Sequence, residues 1–207
     1  MSIIDKKPEY WDEACKVLAK NDDVLADIIH RFSDDSLKCN PDAFEVTLKS
    51  VNGQQISVKA AAAIWGRLLA RMNPLSPKTV IAISQDVLRS LGLSRQKALY
   101  FHTVAQAFLE NPQLSNMDRD DYPNVAKDLL SIKGVGEWTV EMVGIFHFNY
   151  PDIFPISDLG LVRALNKWYD KKLTKKDAID FSERWKPFRT VATWYFWRSL
   201  DPHSVQY

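Results

Sequence analysis

Two cysteines, Cys15 and Cys39, are the only thiols in this chain. They allow at most one disulfide and cannot supply the four thiolates of an iron–sulfur cluster. Long apolar runs are also missing. The longest, Ala60 to Trp65, falls far short of the ~20 residues that span a bilayer, and Met1 to Tyr10 is too polar for a signal peptide. A soluble, intracellular protein with no membrane partner is expected. The four histidines, His30, His102, His147 and His203, show no metal-ligand spacing, so no catalytic metal is assigned. Alternating strand patterns are scarce, and only Phe44 to Val51 approaches one. Internal repeats, low-complexity linkers and disorder signatures are absent.

A large excess of one charge is lacking as well. The net charge of +1 by itself argues against a polyanionic partner, but its distribution is uneven. Asp5 to Glu45 holds six basic and eleven acidic residues, a local charge of −5, and leaves +6 on the remainder. A basic body with an acidic N-terminal part fits a DNA face confined to one side, although solvated helix faces also produce such imbalance.

What the chain does have is a core and helical punctuation. Its 207 residues are 46% hydrophobic, enough for one globular unit or two small lobes. Asn40-Pro41 and Ser76-Pro77 read as caps followed by proline at the first helical position. Gly92 closes a helix ending at Leu91, and Ser94 caps another in which Ala98, Phe101, Val104, Ala105 and Phe108 keep helical spacing. Further helices are predicted at about 57–72, 122–131, 136–149, 159–169, 175–184 and 188–200. The expected fold is all-α, two helical lobes with a cleft between them, in which the block around Gln55 faces the block from Gly134 to Trp197.

The most informative stretch is Leu129 to Leu161. Gly134-Val135-Gly136 joins two apolar-periodic helices. Glycine costs a helix interior roughly 1 kcal/mol relative to alanine, so two glycines flanking one valine mark a turn. A helix starting near Gly136 presents unpaired N–H groups and a positive dipole end, which can bind a phosphate without any lysine or arginine. Taken alone, the same residues also describe an ordinary helix connection. In Phe154-Pro155-Ile156-Ser157-Asp158-Leu159, Asp158 or Ser157 reads on local sequence as an N-cap worth ~1 kcal/mol. Trp194, Tyr195, Phe196 and Trp197 are consecutive on a helix and sweep about 300°, so they cannot all face one core. At least one should line a cleft or the surface. Gln55, beside Gln54 at a helix junction, could be a buried amide tying helix ends together.

Taken together, the segments resemble the helix-hairpin-helix DNA glycosylase superfamily, and within it the alkylation-repair branch, 3-methyladenine DNA glycosylase II. Ile132 to Thr139 matches the pattern hydrophobic-x-G-[VI]-G-x-W-T, and Asp158 follows Trp138 by the expected twenty residues. Gly53 to Ala61 upstream, and Arg184 to Arg189 leading into Trp194 to Trp197 downstream, agree in order. The helix-hairpin-helix is placed at about 122–149 and its Gly/Pro-Asp loop at about 150–158, within a single unit spanning 1–207. The thiol count excludes the cluster of the superfamily's endonuclease III branch. Only about fifty residues precede Gln54, so the N-terminal sheet domain of longer bacterial members is expected to be absent, with the first helices completing the second lobe.

The resemblance implies a chemistry. Asp158 occupies the superfamily's catalytic aspartate position, at a helix end whose dipole favours its ionised form. Breaking an N-glycosidic bond builds an oxocarbenium-like cation, which a carboxylate stabilises while it orients or activates water. Alkylated purines already carry positive charge and leave without a general acid. Trp138 and Trp197 match the two tryptophans of the base pocket, where indole faces attract a cationic base. Gln55 matches the wedge that fills the gap left by a flipped nucleotide. Lys133, Gly134, Val135 and Gly136 form the phosphate-binding hairpin, with Lys133 where proline is usual, and the carbonyls of Leu130, Ile132 and Gly134 match a monovalent cation site. Trp138 also stands where bifunctional lyases carry a Schiff-base lysine, implying a monofunctional enzyme. The implied protein is a monomer without cofactors, acting on double-stranded DNA that contains alkylated bases, at the nucleoid in a bacterial cytoplasm or in a eukaryotic nucleus. From a different class, a catalytically silent DNA-binding module would share the hairpin but have no use for Asp158, Trp138 and Trp197 together.

Overall fold

The computed structural model describes residues 7–115 and 119–200, and every regular element among them is helical. In chain order these are α1 (Trp11–Asn21), α2 (Asp23–Arg31), α3 (Ala43–Gly53), α4 (Val58–Arg71), α5 (Pro77–Ala82), α6 (Gln85–Ser90), α7 (Arg95–Glu110), α8 (Tyr122–Ser131), α9 (Glu137–Phe146), α10 (Leu159–Trp168), α11 (Lys175–Ser182) and α12 (Arg189–Arg198), with short 3-10 turns between some of them. None of these helices is long and apolar enough to cross a membrane. The described residues divide into two compact units, one within residues 42–143 and the other of residues 7–41 and 144–200.

In the first unit, α7 is the central helix. Ala98, Phe101, Val104, Ala105 and Phe108 are all buried, as their helical spacing predicts, and Phe108 packs its ring 5.2 Å from Phe44 of α3. Helix α3 settles one faint strand-like signal and corrects one cap assignment. Phe44 to Val51 is helix rather than strand, because the segment buries Ala43, Phe44, Val46, Thr47, Leu48, Ser50, Val51 and Asn52 and so has no polar stripe to betray the helical period. The Thr47 and Ser50 hydroxyls donate to the Ala43 and Val46 carbonyls, consuming polar groups that burial would otherwise leave unsatisfied. The cap of α3 is Asp42, whose side chain accepts from the Glu45 N–H at 3.0 Å, and not Asn40. Asn40 is buried, and its N–H donates to the Phe146 carbonyl at 2.8 Å, which holds it outside any helix. The Ser76-Pro77 reading holds, with Ser76 capping α5 and proline at its first turn.

The second unit is built around α12, which is buried on nearly every side. Trp194, Tyr195 and Phe196 are almost fully enclosed, and Trp194 meets Trp11 of α1 edge-on at 5.2 Å. Asp22 organises the polar part of this core. It caps α2 through the Val24 and Leu25 N–H groups and also accepts from the Tyr169 hydroxyl at 2.7 Å and the Trp185 indole at 3.0 Å. Burial, followed by that hydrogen bond to Asp22, pushes the Tyr169 phenol far above its ordinary range. Both cysteines are free thiols. His102 and His147 bond to the backbone carbonyls of Ile83 and Asn40, while His203 lies outside the described residues.

Candidate active site

The extended segment before Asp158 is held by the helix that also supplies Trp197. Thr190, buried in the first turn of α12, donates its hydroxyl to the Tyr150 carbonyl at 2.6 Å and accepts from the Ile153 N–H at 3.0 Å. Arg189 beside it grips Asp152 with two parallel bonds of 2.7 and 2.8 Å, a fork geometry only arginine supplies. The chain then turns through Pro155, whose carbonyl accepts from the Asp158 N–H at 2.8 Å, and enters α10.

Asp158 is the N-cap of α10. Its Oδ1 accepts from the Leu161 N–H at 2.7 Å and from the Trp197 indole Nε1–H at 2.8 Å. The cap alone is what local sequence supports, whereas the second bond ties the carboxylate to a half-buried aromatic 39 residues away. Of the four consecutive aromatics, Trp197 is the one the core leaves partly open. Its ring lies nearly parallel to Phe146, at 5.9 Å and 11°, so Phe146 backs the indole. Gly160 completes the arrangement. A β-carbon there would sit 2.9 Å from Asp158 Oδ1 and 3.6 Å from the Trp197 indole nitrogen, so a side chain would displace the carboxylate. Phe146, Gly160 and Thr190 were not singled out by sequence. Each acts by contact with a residue distant in the chain, and only Gly160, next but one to Asp158, carried a local signal.

The hairpin belongs to the other unit. Helix α8 ends at Ser131, and the turn closes with the Val135 N–H donating to the Ile132 carbonyl at 3.0 Å. Gly134 has φ +100, and a β-carbon there would fall inside the Tyr100 ring, so conformation and space both demand glycine. Gly136 is different. It is exposed, its φ is not positive, and a β-carbon would meet nothing within 4 Å. Lys133 is exposed and Val135 buried. Trp138 lies half-buried in the first turn of α9. Of the three carbonyls proposed for a cation, that of Ile132 accepts from Val135 and that of Gly134 from the Gln54 amide at 3.1 Å. Each keeps a second lone pair, and the turn closes through these bonds without an ion.

Gln55 lies between α3 and α4, exposed, with φ +56, a left-handed conformation uncommon outside glycine. The buried-amide role falls to its neighbour: Gln54 Nε2 donates to the Gly134 carbonyl and, at 3.0 Å, to Thr139 Oγ1.

Residues 48–189 match the model of the HhH-GPD superfamily of base excision DNA repair proteins. The chain belongs to that superfamily. DNA-3-methyladenine glycosylase 1 of Schizosaccharomyces pombe is 32% identical over 164 residues, covering 75% of this chain and 72% of that protein. The alkylbase DNA glycosidase-like protein mag2 of the same yeast is 25% identical over 95% of this chain and 97% of its own length. The solved structure of the S. pombe 3-methyladenine DNA glycosylase Mag1 in complex with abasic DNA matches with a TM-score of 0.78 at 26% identity, covering 90% of this chain and 96% of that one. The superfamily fold therefore accounts for the helical architecture, including the hairpin between α8 and α9.

Proposed function

We propose that this protein is a monofunctional DNA glycosylase that acts as a monomer on double-stranded DNA, hydrolysing the N-glycosidic bond of alkylated purines such as 3-methyladenine and 7-methylguanine and leaving an abasic site. The observation that carries this reading is the Asp158 carboxylate, capped into α10 and held by the Trp197 indole. As the glycosidic bond lengthens, positive charge grows on the sugar. A carboxylate fixed in advance by two N–H donors stabilises that charge without reorganising, and it orients the water that completes hydrolysis. No second carboxylate is needed, because a cationic alkylated purine leaves unprotonated. The indole of Trp197, backed by Phe146, offers an electron-rich face to such a base.

The remaining assignments support binding rather than bond cleavage. The first-turn N–H groups of α9, entered from the exposed Gly136, receive a backbone phosphate. A monovalent ion on the Leu130, Ile132 and Gly134 carbonyls would add positive charge beside it. Gln55 fills the gap left by the extruded nucleotide. Trp138 has no amine to form a Schiff base, which leaves hydrolysis as the outcome. The name of the yeast relative, DNA-3-methyladenine glycosylase 1, supports the substrate class.

The test is incubation with methylated duplex DNA followed by chromatography. Free 3-methyladenine and 7-methylguanine should appear, with strand breaks only after hot alkali and no borohydride-trapped adduct. A trapped adduct would overturn the monofunctional assignment. DNA binding without base release would identify a silent DNA-binding module instead.

A further inference from the structure

The turn that carries Gln55 is held by more polar contacts than a surface turn needs. Lys97, on α7, donates its ammonium to the carbonyls of Asn52 and Gln54, both at 2.7 Å. These carbonyls lie at the C-terminal end of α3, where helix geometry leaves acceptors unpaired and the dipole favours a cation. The lysine that meets them is not part of α3 and lies more than forty residues along the chain. Asn52 Nδ2 donates to the Ala61 carbonyl of α4 at 2.9 Å, and Gln54 Nε2 reaches Gly134 and Thr139 at the hairpin. Every residue-specific tie falls on Asn52 or Gln54, while Gln55 itself is exposed in a left-handed conformation. A non-glycine residue in that region is strained and keeps its shape only when its surroundings over-determine it.

We infer that Lys97 is the positioning residue of the wedge: it locks the turn so that Gln55 points in the direction base extrusion requires, and Gln54 fixes that turn to the phosphate-binding hairpin. The inference rests on the proposed glycosylase function. A gap in a base stack is narrow, and a filler that wanders must be ordered at the moment of flipping, which raises the barrier. A clamp supplied in advance removes that cost. Burial lowers the pKa of Lys97 from its ordinary value, as expected for an ammonium that has exchanged hydration for two carbonyls. The competing role, a phosphate ligand, would leave the ammonium directed outward rather than spent on two backbone acceptors.

The experiment is a double-mutant cycle on single-turnover excision of one 7-methylguanine from a matched duplex, using wild type, Lys97→Met, Gln55→Ala and the double variant. Lys97→Met should slow excision about tenfold, the scale set by releasing one strained residue. The loss should shrink when the lesion is in single-stranded DNA, and Lys97→Arg should recover most of it. In the Gln55→Ala background the Lys97 substitution should add little, because there is no wedge left to aim. The salt dependence of binding to an abasic-analogue duplex should stay as in wild type. Should Lys97→Met fail to fold, Lys97→Gln, which can serve only one of the two carbonyls at a time, carries the same cycle. Losses that multiply in the double variant, or a salt slope reduced by about one charge, would overturn the inference in favour of a phosphate ligand or a general structural role. If wild type excises the base and Lys97→Met matches it, the inference alone fails. If wild type releases no base, the proposed function fails and the inference with it.

Discussion

The hairpin turn and the Asp158 turn both deliver the chain into the N-terminus of a helix, and they treat that terminus in opposite ways. Before α9 stands Gly136, with no side chain to cap the first N–H groups. Before α10 stands Asp158, whose own carboxylate accepts from the Leu161 N–H. The positive helix end thus has no side-chain cap from the preceding residue in one unit and is filled by an internal carboxylate in the other; the proposed function gives the first to a backbone phosphate. Their supports differ accordingly. The hairpin depends on a missing side chain, since the Tyr100 ring occupies the space a β-carbon on Gly134 would need. The aspartate depends on side chains that are present: Trp197 on its Oδ1, and Thr190 and Arg189 on the segment leading to it. Grip by backbone tolerates little change in conformation, whereas chemistry by carboxylate tolerates little change in charge.

Removing that charge gives the largest expected effect. Asn at position 158 keeps the size of the side chain and the oxygen that accepts from Leu161 and Trp197, so Asp158→Asn should melt near wild type and bind abasic-analogue DNA with little change. Losing one preorganised electrostatic contact typically costs about 10²–10³ in rate, roughly 3–4 kcal/mol. Single-turnover base release should fall by that factor. Release at the wild-type rate would reduce Asp158 to the cap that its local sequence describes.

The contrast also explains what could be read in advance. The hairpin was legible because glycine announces itself: two in three residues break a helical pattern wherever they fall. The cap at Asp158 was legible, shared with Ser157 as the alternative, and the motif spacing proposed the same residue as the catalytic carboxylate, but its hydrogen bond to Trp197 was not legible, since nothing local links positions 158 and 197. The aromatic run showed only that one ring had to leave the core, and the fold selects Trp197. Helix α3 carried a faint strand-like signal because a helix buried almost all round has no amphipathic period. Gln54 and Lys97 were passed over because a half-buried amide and a clamping ammonium look, in sequence, like any surface glutamine and lysine.

A second pair of substitutions tests whether the hairpin obeys conformation rather than charge. Gly134→Ala places a β-carbon in the Tyr100 ring at φ +100, so strain and overpacking together should cost about 2–4 kcal/mol of stability. Gly136→Ala meets no neighbour, and its melting temperature should shift little. Its effect should appear instead in affinity for abasic-analogue DNA, where a methyl group intrudes on a phosphate approaching the first N–H groups of α9. Thermal denaturation and binding isotherms should therefore rank the two variants in opposite orders. If Gly136→Ala binds as wild type does, the DNA backbone does not come close to that glycine.

A smaller effect than that of Asp158→Asn is expected in the support of the carboxylate. Trp197→Phe keeps a smaller aromatic ring over Phe146 and removes the indole N–H that Asp158 Oδ1 accepts at 2.8 Å. Hydrogen bonds to charged groups contribute about 1.5–3 kcal/mol, so base release should slow by roughly 10- to 100-fold. The carboxylate keeps its cap on α10, which holds it in place while leaving it freer to rotate. The loss should appear in the single-turnover rate at saturating enzyme, with half-saturation little changed, because a phenyl ring still presents a face to the base. Combining Trp197→Phe with Asp158→Asn should cost little more than Asp158→Asn alone, since the indole acts by orienting a charge that is then missing. Independent, multiplying losses would mean that Trp197 contributes through the base and not through the acid, and the interdependence ascribed to this region would be withdrawn.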